Sequence, residues 1–294
     1  MRPPTGPRSA ATYTKVVQPN DAGSPPDPIL EAPHAARVRW LGHATAEIEV
    51  DGARLLTDPM LVNEMAPLVR RRAIEPAWIE AERHVDAVLI SHAHQDHLHL
   101  PSLRLLSPDT LILVPQGMGR WLEQRGFEHV EEMTAGRETW VGAVRVRATH
   151  AAHEGRRLPF GPAAPALGYL VEGSSACYFA GDTDIFDEMA ELPGVLDTPL
   201  SAALLPVGGW GPTLGAGHMN PQRAAAALRL LAPTHAVPIH WGTYWPRGLE
   251  RIRPDRFHEP GPTFGIEAAA AAPSVQVHVI RPGETVDLSA AERD

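Results

Sequence analysis

The apolar run Val88-Leu89-Ile90 passes directly into Ser91-His92-Ala93-His94-Gln95-Asp96-His97, three imidazoles and a carboxylate within six residues. This pattern is a buried strand emptying into a ligand-rich loop. In an extended or tightly turning loop, His92 and His94 project to one side, while Asp96 and His97 turn toward a second point a few ångströms away. Two borderline cations such as zinc, each taking roughly four N or O ligands, suit this arrangement. A surface loop rich in histidine by chance is the competing reading, and the spacing His-x-His-x-Asp-His behind a strand argues against it.

Short strands are predicted on both sides of this loop. Val38–Trp40, Ala46–Val50 and Arg54–Thr57 form the first group, with Asp51-Gly52 as a hairpin turn. Val88–Ser91, Leu111–Val114 and Val144–Ala148 follow, with a short helix over Met118–Arg125. Ala166–Glu172 and Ala176–Ala180 pair around Gly173-Ser174. Then come the strand Ala202–Pro206, an alanine-rich helix over Pro221–Leu231 with proline in its first turn, and the strands Ala236–Ile239 and Val275–Ile280.

At 294 residues the chain can bury a full core, and one α/β domain over residues 37–294 is expected. Residues 1–36 carry eight prolines and no apolar period, which predicts a disordered or loosely draped arm. A net charge of −9 lacks the basic footprint that nucleic acid needs. No apolar stretch reaches the roughly 18 residues of a membrane span, and no secretory signal follows the first arginine. The single cysteine, Cys177, excludes an internal disulfide and reads as a small buried residue. These features predict a cytoplasmic protein and are compatible with a homo-oligomer.

Further motifs, taken in order with the histidine run, resemble the metallo-β-lactamase-fold hydrolases. They are Trp40-Leu41-Gly42-His43-Ala44-Thr45, Leu56-Thr57-Asp58-Pro59, His153, Ala180-Gly181-Asp182-Thr183-Asp184 and Ile239-His240-Trp241-Gly242-Thr243. The resemblance spans residues 37 to 285. Its opening and closing motifs point to the branch that includes the phospholipase D acting on N-acyl-phosphatidylethanolamines, with the L-ascorbate-6-phosphate lactonase more distant. The fold this implies is an α/β four-layer αβ/βα sandwich of two mixed sheets with outer helices.

The resemblance also implies a ligand set. His92, His94 and His153 would hold one metal, and Asp96, His97 and His240 the other, with Asp182 bridging. The cofactors would be two divalent ions, zinc first, with manganese or iron as alternatives. His150 follows the same strand as His153 and competes for the third position. Counting to the family's ligand favours His153. The β-lactamases proper place a cysteine beside the second metal, and this chain has none there, which argues against antibiotic hydrolysis.

Asp58, at a strand end, is expected to accept from the free N–H of a ligand histidine. His43 is expected to orient the metal loop. Asp96 and His218 are the candidate catalytic side chains, His218 lying just before a helix start. Arg156, Arg157, Trp210 and Tyr244 are the candidate substrate-binding residues. Arg70-Arg71-Arg72 offer a second cationic cluster, and the segments Met60–Val62 and Met65–Val69 an apolar lip.

The expected chemistry is hydrolysis by a metal-bridging hydroxide. Two dications would lower the pKa of a water from about 15.7 to about 7. Gly-x-Ser-x-Gly is absent, so no serine nucleophile is invoked. A phosphodiester leads, because the branch is phospholipase D-like. A lactone or carboxylic ester is the alternative, and the substrate would be a small or lipid-like molecule. A di-iron redox centre ranks lower, because His94 stands where such proteins tend to carry a carboxylate.

Overall fold

The computed structural model describes residues 36–157, 161–209, 213–249, 251–252 and 254–288. The arm expected over residues 1–36 lies outside these apart from Ala36, and so does Trp210. In chain order the strands are β1 (Arg37–Gly42), β2 (Thr45–Val50), β3 (Ala53–Thr57), β4 (Glu64–Met65), β5 (Leu68–Arg70), β6 (Ala87–Leu89), β7 (Leu111–Pro115), β8 (Val130–Met133) and β9 (Glu138–Val141). They continue with β10 (Val144–His150), β11 (Leu167–Glu172), β12 (Ala176–Phe179), β13 (Leu200–Pro206), β14 (His235–Ile239), β15 (Tyr244–Pro246), β16 (Gln276–Val277) and β17 (Thr285–Asp287). The helices are α1 (Pro76–Glu82), α2 (Leu100–Leu103), α3 (Gly119–Glu123), α4 (Pro221–Leu231), α5 (Asp255–His258) and α6 (Pro260–Ala271).

Among the described residues, one seven-stranded sheet runs β17-β1-β2-β3-β6-β7-β8 and a second runs β16-β14-β13-β12-β11-β10-β9. Both are mixed. In the first, β3, β6, β7 and β8 are parallel, and in the second, β12, β13, β14 and β16 are parallel. Strand residues alternate between two cores because successive side chains leave opposite faces. Ala87 and Leu89 point into a central cluster with Trp40, Phe179, Leu204 and Val237. Val88 and Ile90 point the other way, toward Trp78 of α1 and Leu122 by α3. On the second sheet Tyr178, Ala203 and Leu205 face α4 and α6 through Leu228 and Phe264. The layers are therefore helix, sheet, sheet, helix. Burial on both faces is why these strands lack polar alternation.

Local chemistry fixes the connections. Asp51 and Gly52 both have positive φ, 49° and 80°, as a type I′ hairpin requires. Asn220 caps α4, its side chain accepting from Arg223 N at 2.9 Å, and Pro221 follows with φ already suited to the helix. A third sheet, β15-β5-β4, lies outside both large ones, with Tyr244 paired to Arg70. Val275–Ile280, expected as a full strand, pairs only over Gln276–Val277. The loops that carry ligand-type residues leave the C-terminal ends of β6, β10, β12 and β14. They therefore converge on one rim of the sandwich. No helix among the described residues is long and apolar enough to cross a membrane.

Candidate metal centre

The loop after β6 turns tightly on His94, whose carbonyl accepts from His97 N at 3.2 Å and Leu98 N at 2.9 Å. That turn sends His92 and His94 to one side and Asp96 and His97 to the other. Its start is tied to the second sheet: Tyr169 Oη donates to Ile90 O at 2.8 Å, and Leu167 N donates to Ser91 O at 2.9 Å.

The first set is made of three imidazoles. His94 Nδ1 lies 2.9 Å from His92 Nε2 and 3.3 Å from His153 Nε2. Nitrogens bound tetrahedrally to one ion at about 2.0–2.1 Å stand about 3.3 Å apart, which the His94–His153 pair matches and the His92–His94 pair undercuts, so the three rings could hold one cation with a small adjustment. His153 Nδ1 lies 3.0 Å from Gly217 O and donates to it, which leaves Nε2 as the lone-pair nitrogen. Gly217 has φ +74°, and a Cβ there would stand 2.9 Å from Ala152 O, so no larger residue fits this approach. His150, at the end of β10, is exposed and meets Phe186 edge-on.

The second set is His97, His240 and Asp96. His97 Nε2 is 3.2 Å from His240 Nε2, and Asp96 Oδ2 is 3.6 and 3.9 Å from those two nitrogens. His240 Nδ1 is 2.9 Å from Gly208 O, and His43 Nε2 is 3.0 Å from Asp96 Oδ2. Asp182 stands between the sets, its Oδ2 at 3.1 Å from His97, 3.3 Å from His218, 3.4 Å from His240 and 3.9 Å from His92. Gly181, with φ +60°, lets this turn press against Ser91, where a Cβ would come within 2.6 Å of Ser91 Cβ.

A cation fits these residues on an observation internal to the site. Asp182 Oδ1 is buried and has no hydrogen-bond partner, a costly state for an oxygen of a carboxylate whose Oδ2 already faces the imidazoles of both sets. The donors are neutral-capable imidazoles and carboxylates, the mixture borderline metals prefer. The His/Asp cluster is able to bind metal.

The electrostatics separate the two sets. Burial, followed by the charge of His97, holds His92 well below the usual imidazole range. Burial likewise lowers His94, and it brings His153 down to about 4. All three are therefore neutral at pH 7, with lone pairs available. His97 goes the other way. Burial would lower it, but the carboxylates of Asp182, Asp96 and Asp58 raise it well above the usual range. Asp182 is held well below the carboxylate range despite burial, chiefly by His240 and His97. Asp58 Oδ2 receives His97 Nδ1 at 2.7 Å, and Ser91 Oγ bonds both Asp58 and His92 Nδ1. Sequence reading missed Ser91; its position immediately before His92 was the available signal.

Three site residues adopt left-handed backbone conformations that non-glycine residues rarely accept. They are His43 at φ 56°, Asp58 at 32° and His240 at 61°. They are held from both sheets: His240 N donates to His43 O at 2.9 Å, and His43 N donates to Thr243 Oγ1 at 2.6 Å.

A cavity of about 420 Å³ opens over the cluster. His94, Asp96, Asp182, His218 and His240 line it, facing a wall of Met65, Ala66, Pro67, Leu68 and Leu214. The expected lip at Met65–Val69 is thus partly present, whereas Met60 is fully buried. His218 Nδ1 sits 3.2 Å from both Gly215 O and Ala216 O.

Among the described candidate substrate residues, Arg156, Arg157 and Tyr244 do not line this cavity. Arg157 Nη1 donates to Ala93 O and Leu98 O, beneath the metal loop and away from the cavity. Arg156 is exposed beside Glu154 and Pro165 in a separate depression. Tyr244 is buried behind the site, donating to Val62 O and meeting His43 edge-on. Arg70 is buried against Tyr244 and donates to the carbonyls of Met60, Leu41 and Arg72. Arg157, Arg70 and Tyr244 thus serve the scaffold, supplying donors to backbone carbonyls of the interior. Trp210 lies outside the described residues.

A two-sheet sandwich with convergent histidines and carboxylates at one rim defines a class of metal-dependent hydrolases. Residues 53–241 match the beta-lactamase superfamily domain. The chain is 30% identical to a UPF0173 metal-dependent hydrolase of Methanopyrus kandleri, covering 85% of this chain and 99% of the relative. It is 31% identical to an uncharacterized protein of Mycobacterium tuberculosis, over 93% and 76% of the two chains. A solved metallo hydrolase from Ignicoccus hospitalis shares the fold, with TM-score 0.63 and 24% identity over 86% of this chain and 97% of that one. The chain belongs to the metallo-β-lactamase superfamily, among its metal-dependent hydrolases.

Proposed function

We propose that this chain is a dinuclear hydrolase, with zinc as its first metal, acting on a carboxylic ester or lactone that carries an apolar substituent. The observation that carries the substrate class is the cavity lining. Met65, Ala66, Pro67, Leu68 and Leu214 form one side, and no lysine or arginine lines it among the described residues. An apolar acyl or alkyl group gains from such a wall. His92, His94 and His153 would hold one ion, Asp96, His97 and His240 the other, and Asp182 both. Bound metal would supply Lewis acidity and a water acidic enough to ionise near neutral pH.

The chain's own groups then divide the proton work. Asp96, oriented by His43 and held as the carboxylate by His97, His240 and His43 despite its burial, accepts the proton of the attacking water. The surroundings of His218 favour a proton on each ring nitrogen: Nδ1 faces two carbonyls, and Nε2 faces the Asp182 carboxylate, which raises its pKa against the lowering effect of burial. The Nε2 proton is therefore available to the leaving oxygen. A phospholipase D-like phosphodiester is the second reading. Its support is the resemblance and the net positive charge that two dications would leave beside two carboxylates.

The test is a panel run on zinc-, manganese- and iron-loaded protein: p-nitrophenyl esters from acetate to octanoate, lactones, and bis(p-nitrophenyl) phosphate. The expected result is kcat/KM rising with acyl length and exceeding that for the diester. A diester turned over faster than every ester and lactone would promote the second reading.

A further inference from the structure

We propose that Arg157 is a positioning residue that clamps the metal loop, coupling the geometry of its ligands to the segment that carries His153. The inference rests on reading the cluster as a metal site. Arg157 Nη1 donates to Ala93 O at 3.0 Å and to Leu98 O at 2.7 Å. These two carbonyls straddle the four residues His94, Gln95, Asp96 and His97, so a single guanidinium nitrogen closes the loop across its base. Both acceptors belong to fully buried residues, Ala93 and Leu98. A carbonyl placed there needs a donor, because water does not reach it.

The clamp is itself fixed. The Arg157 guanidinium lies 4.9 Å from the Trp121 ring centroid, and Arg125 lies 3.8 Å from the same ring. The main chain of Arg157 is held by Pro162 O and Gly161 N, at 3.0 and 2.8 Å. Arg157 stands four positions after His153, so its backbone moves with the third imidazole of the first set. A displacement of this segment would therefore alter His153 and the loop carrying His94, Asp96 and His97 together. Neither hydrogen bond touches a ligand side chain. The effect passes through backbone placement, to which metal binding is sensitive at a fraction of an ångström.

The discriminating variants are Arg157→Met, which keeps a long apolar stem without donors, and Arg157→Lys, which restores an N–H donor. Zinc affinity is read by chelator competition, ligand geometry by the visible d–d bands of cobalt-loaded protein, and folding by thermal unfolding of the metal-free forms. The clamp predicts zinc binding about 10- to 100-fold weaker in Arg157→Met, with altered cobalt bands, and substantial recovery in Arg157→Lys. Wild-type affinity and bands in Arg157→Met would overturn it, as would equal losses in both variants. If Arg157→Met does not fold, Trp121→Leu, which loosens the clamp without removing it, must show the same change in smaller measure; unchanged affinity there also overturns it. Wild-type protein that binds neither zinc nor cobalt would instead sink the metal-site reading itself.

Discussion

Asp58 Oδ2 lies 2.7 Å from His97 Nδ1, and the same carboxylate accepts Ser91 Oγ, which in turn contacts His92 Nδ1. One buried aspartate thus sets the tautomer of a ligand-type histidine in each set. With Nδ1 protonated on both rings, both Nε2 atoms are left to face the site. Asp58→Asn keeps the shape but cannot accept at both oxygens. We expect zinc affinity about 10- to 100-fold lower, measured by chelator competition, and metal-free stability lower by about 1–3 kcal/mol, because the amide sets a donor against buried donors. Unaltered affinity would remove Asp58 from this role.

His153→Ala should lower the zinc content by about one ion per chain, because its Nε2 belongs to the three-imidazole set. His150→Ala should leave the content unchanged, since that ring packs outward on Phe186. Elemental analysis of the two purified variants decides between them, and the reverse pattern would exchange their roles.

Metal binding should release protons. Burial opposes a charge on His97, but three carboxylates raise its pKa well above the usual range, so the ring is protonated at neutral pH before metal arrives. A cation must displace that proton. Affinity therefore falls as pH falls and rises with pH toward the raised His97 value. Calorimetry in buffers of different ionisation enthalpy should show at least one proton released per chain. Binding enthalpy independent of buffer would contradict this.

Glu82 offers a separate pH effect, remote from the metal centre. Burial, then Glu47, pushes its carboxyl up to about 8, against the opposing pull of Arg54 and Arg39. The folded value exceeds the ordinary 4.5, so the native state binds the proton more tightly than the unfolded chain. That stabilisation is complete at low pH and declines as pH rises through this window. Glu82→Gln should flatten the decline in Tm, at constant metal load, relative to wild type. Parallel Tm-against-pH curves for the two proteins would rule it out.

Met65→Ala should test the apolar wall. Each buried methylene lost removes about 0.8 kcal/mol, so kcat/KM for an octanoyl ester should drop roughly ten-fold while that for the acetyl ester holds. Equal losses on both esters would mean that Met65 supports the site without touching substrate.

The sequence alone determined the strands that are buried on both faces and the loop they feed. Continuous apolar runs such as Val88-Leu89-Ile90 can only be core, and a dense His/Asp loop directly after one can only sit at a strand end. Turn chemistry was equally local: Asp51-Gly52 and Asn220-Pro221 encode their conformations within two residues. The small sheet β15-β5-β4 and helix α6 were not legible, because short half-exposed strands and a Pro-Gly-rich helix carry no clear period; tertiary packing stabilises them. The arginines and Tyr244 show the same limit. Composition marks a long cation or aromatic ring near a site but not which way it points. Only the folded backbone decided that Arg157 and Arg70 turn toward buried carbonyls and that Tyr244 packs behind His43. Met65, Pro67, Leu68 and Leu214 were left to form the wall. The physical reason is that ligand-type residues cluster in sequence at strand ends, whereas a pocket wall is assembled by long-range packing among segments whose separation in the chain says nothing of their distance in space.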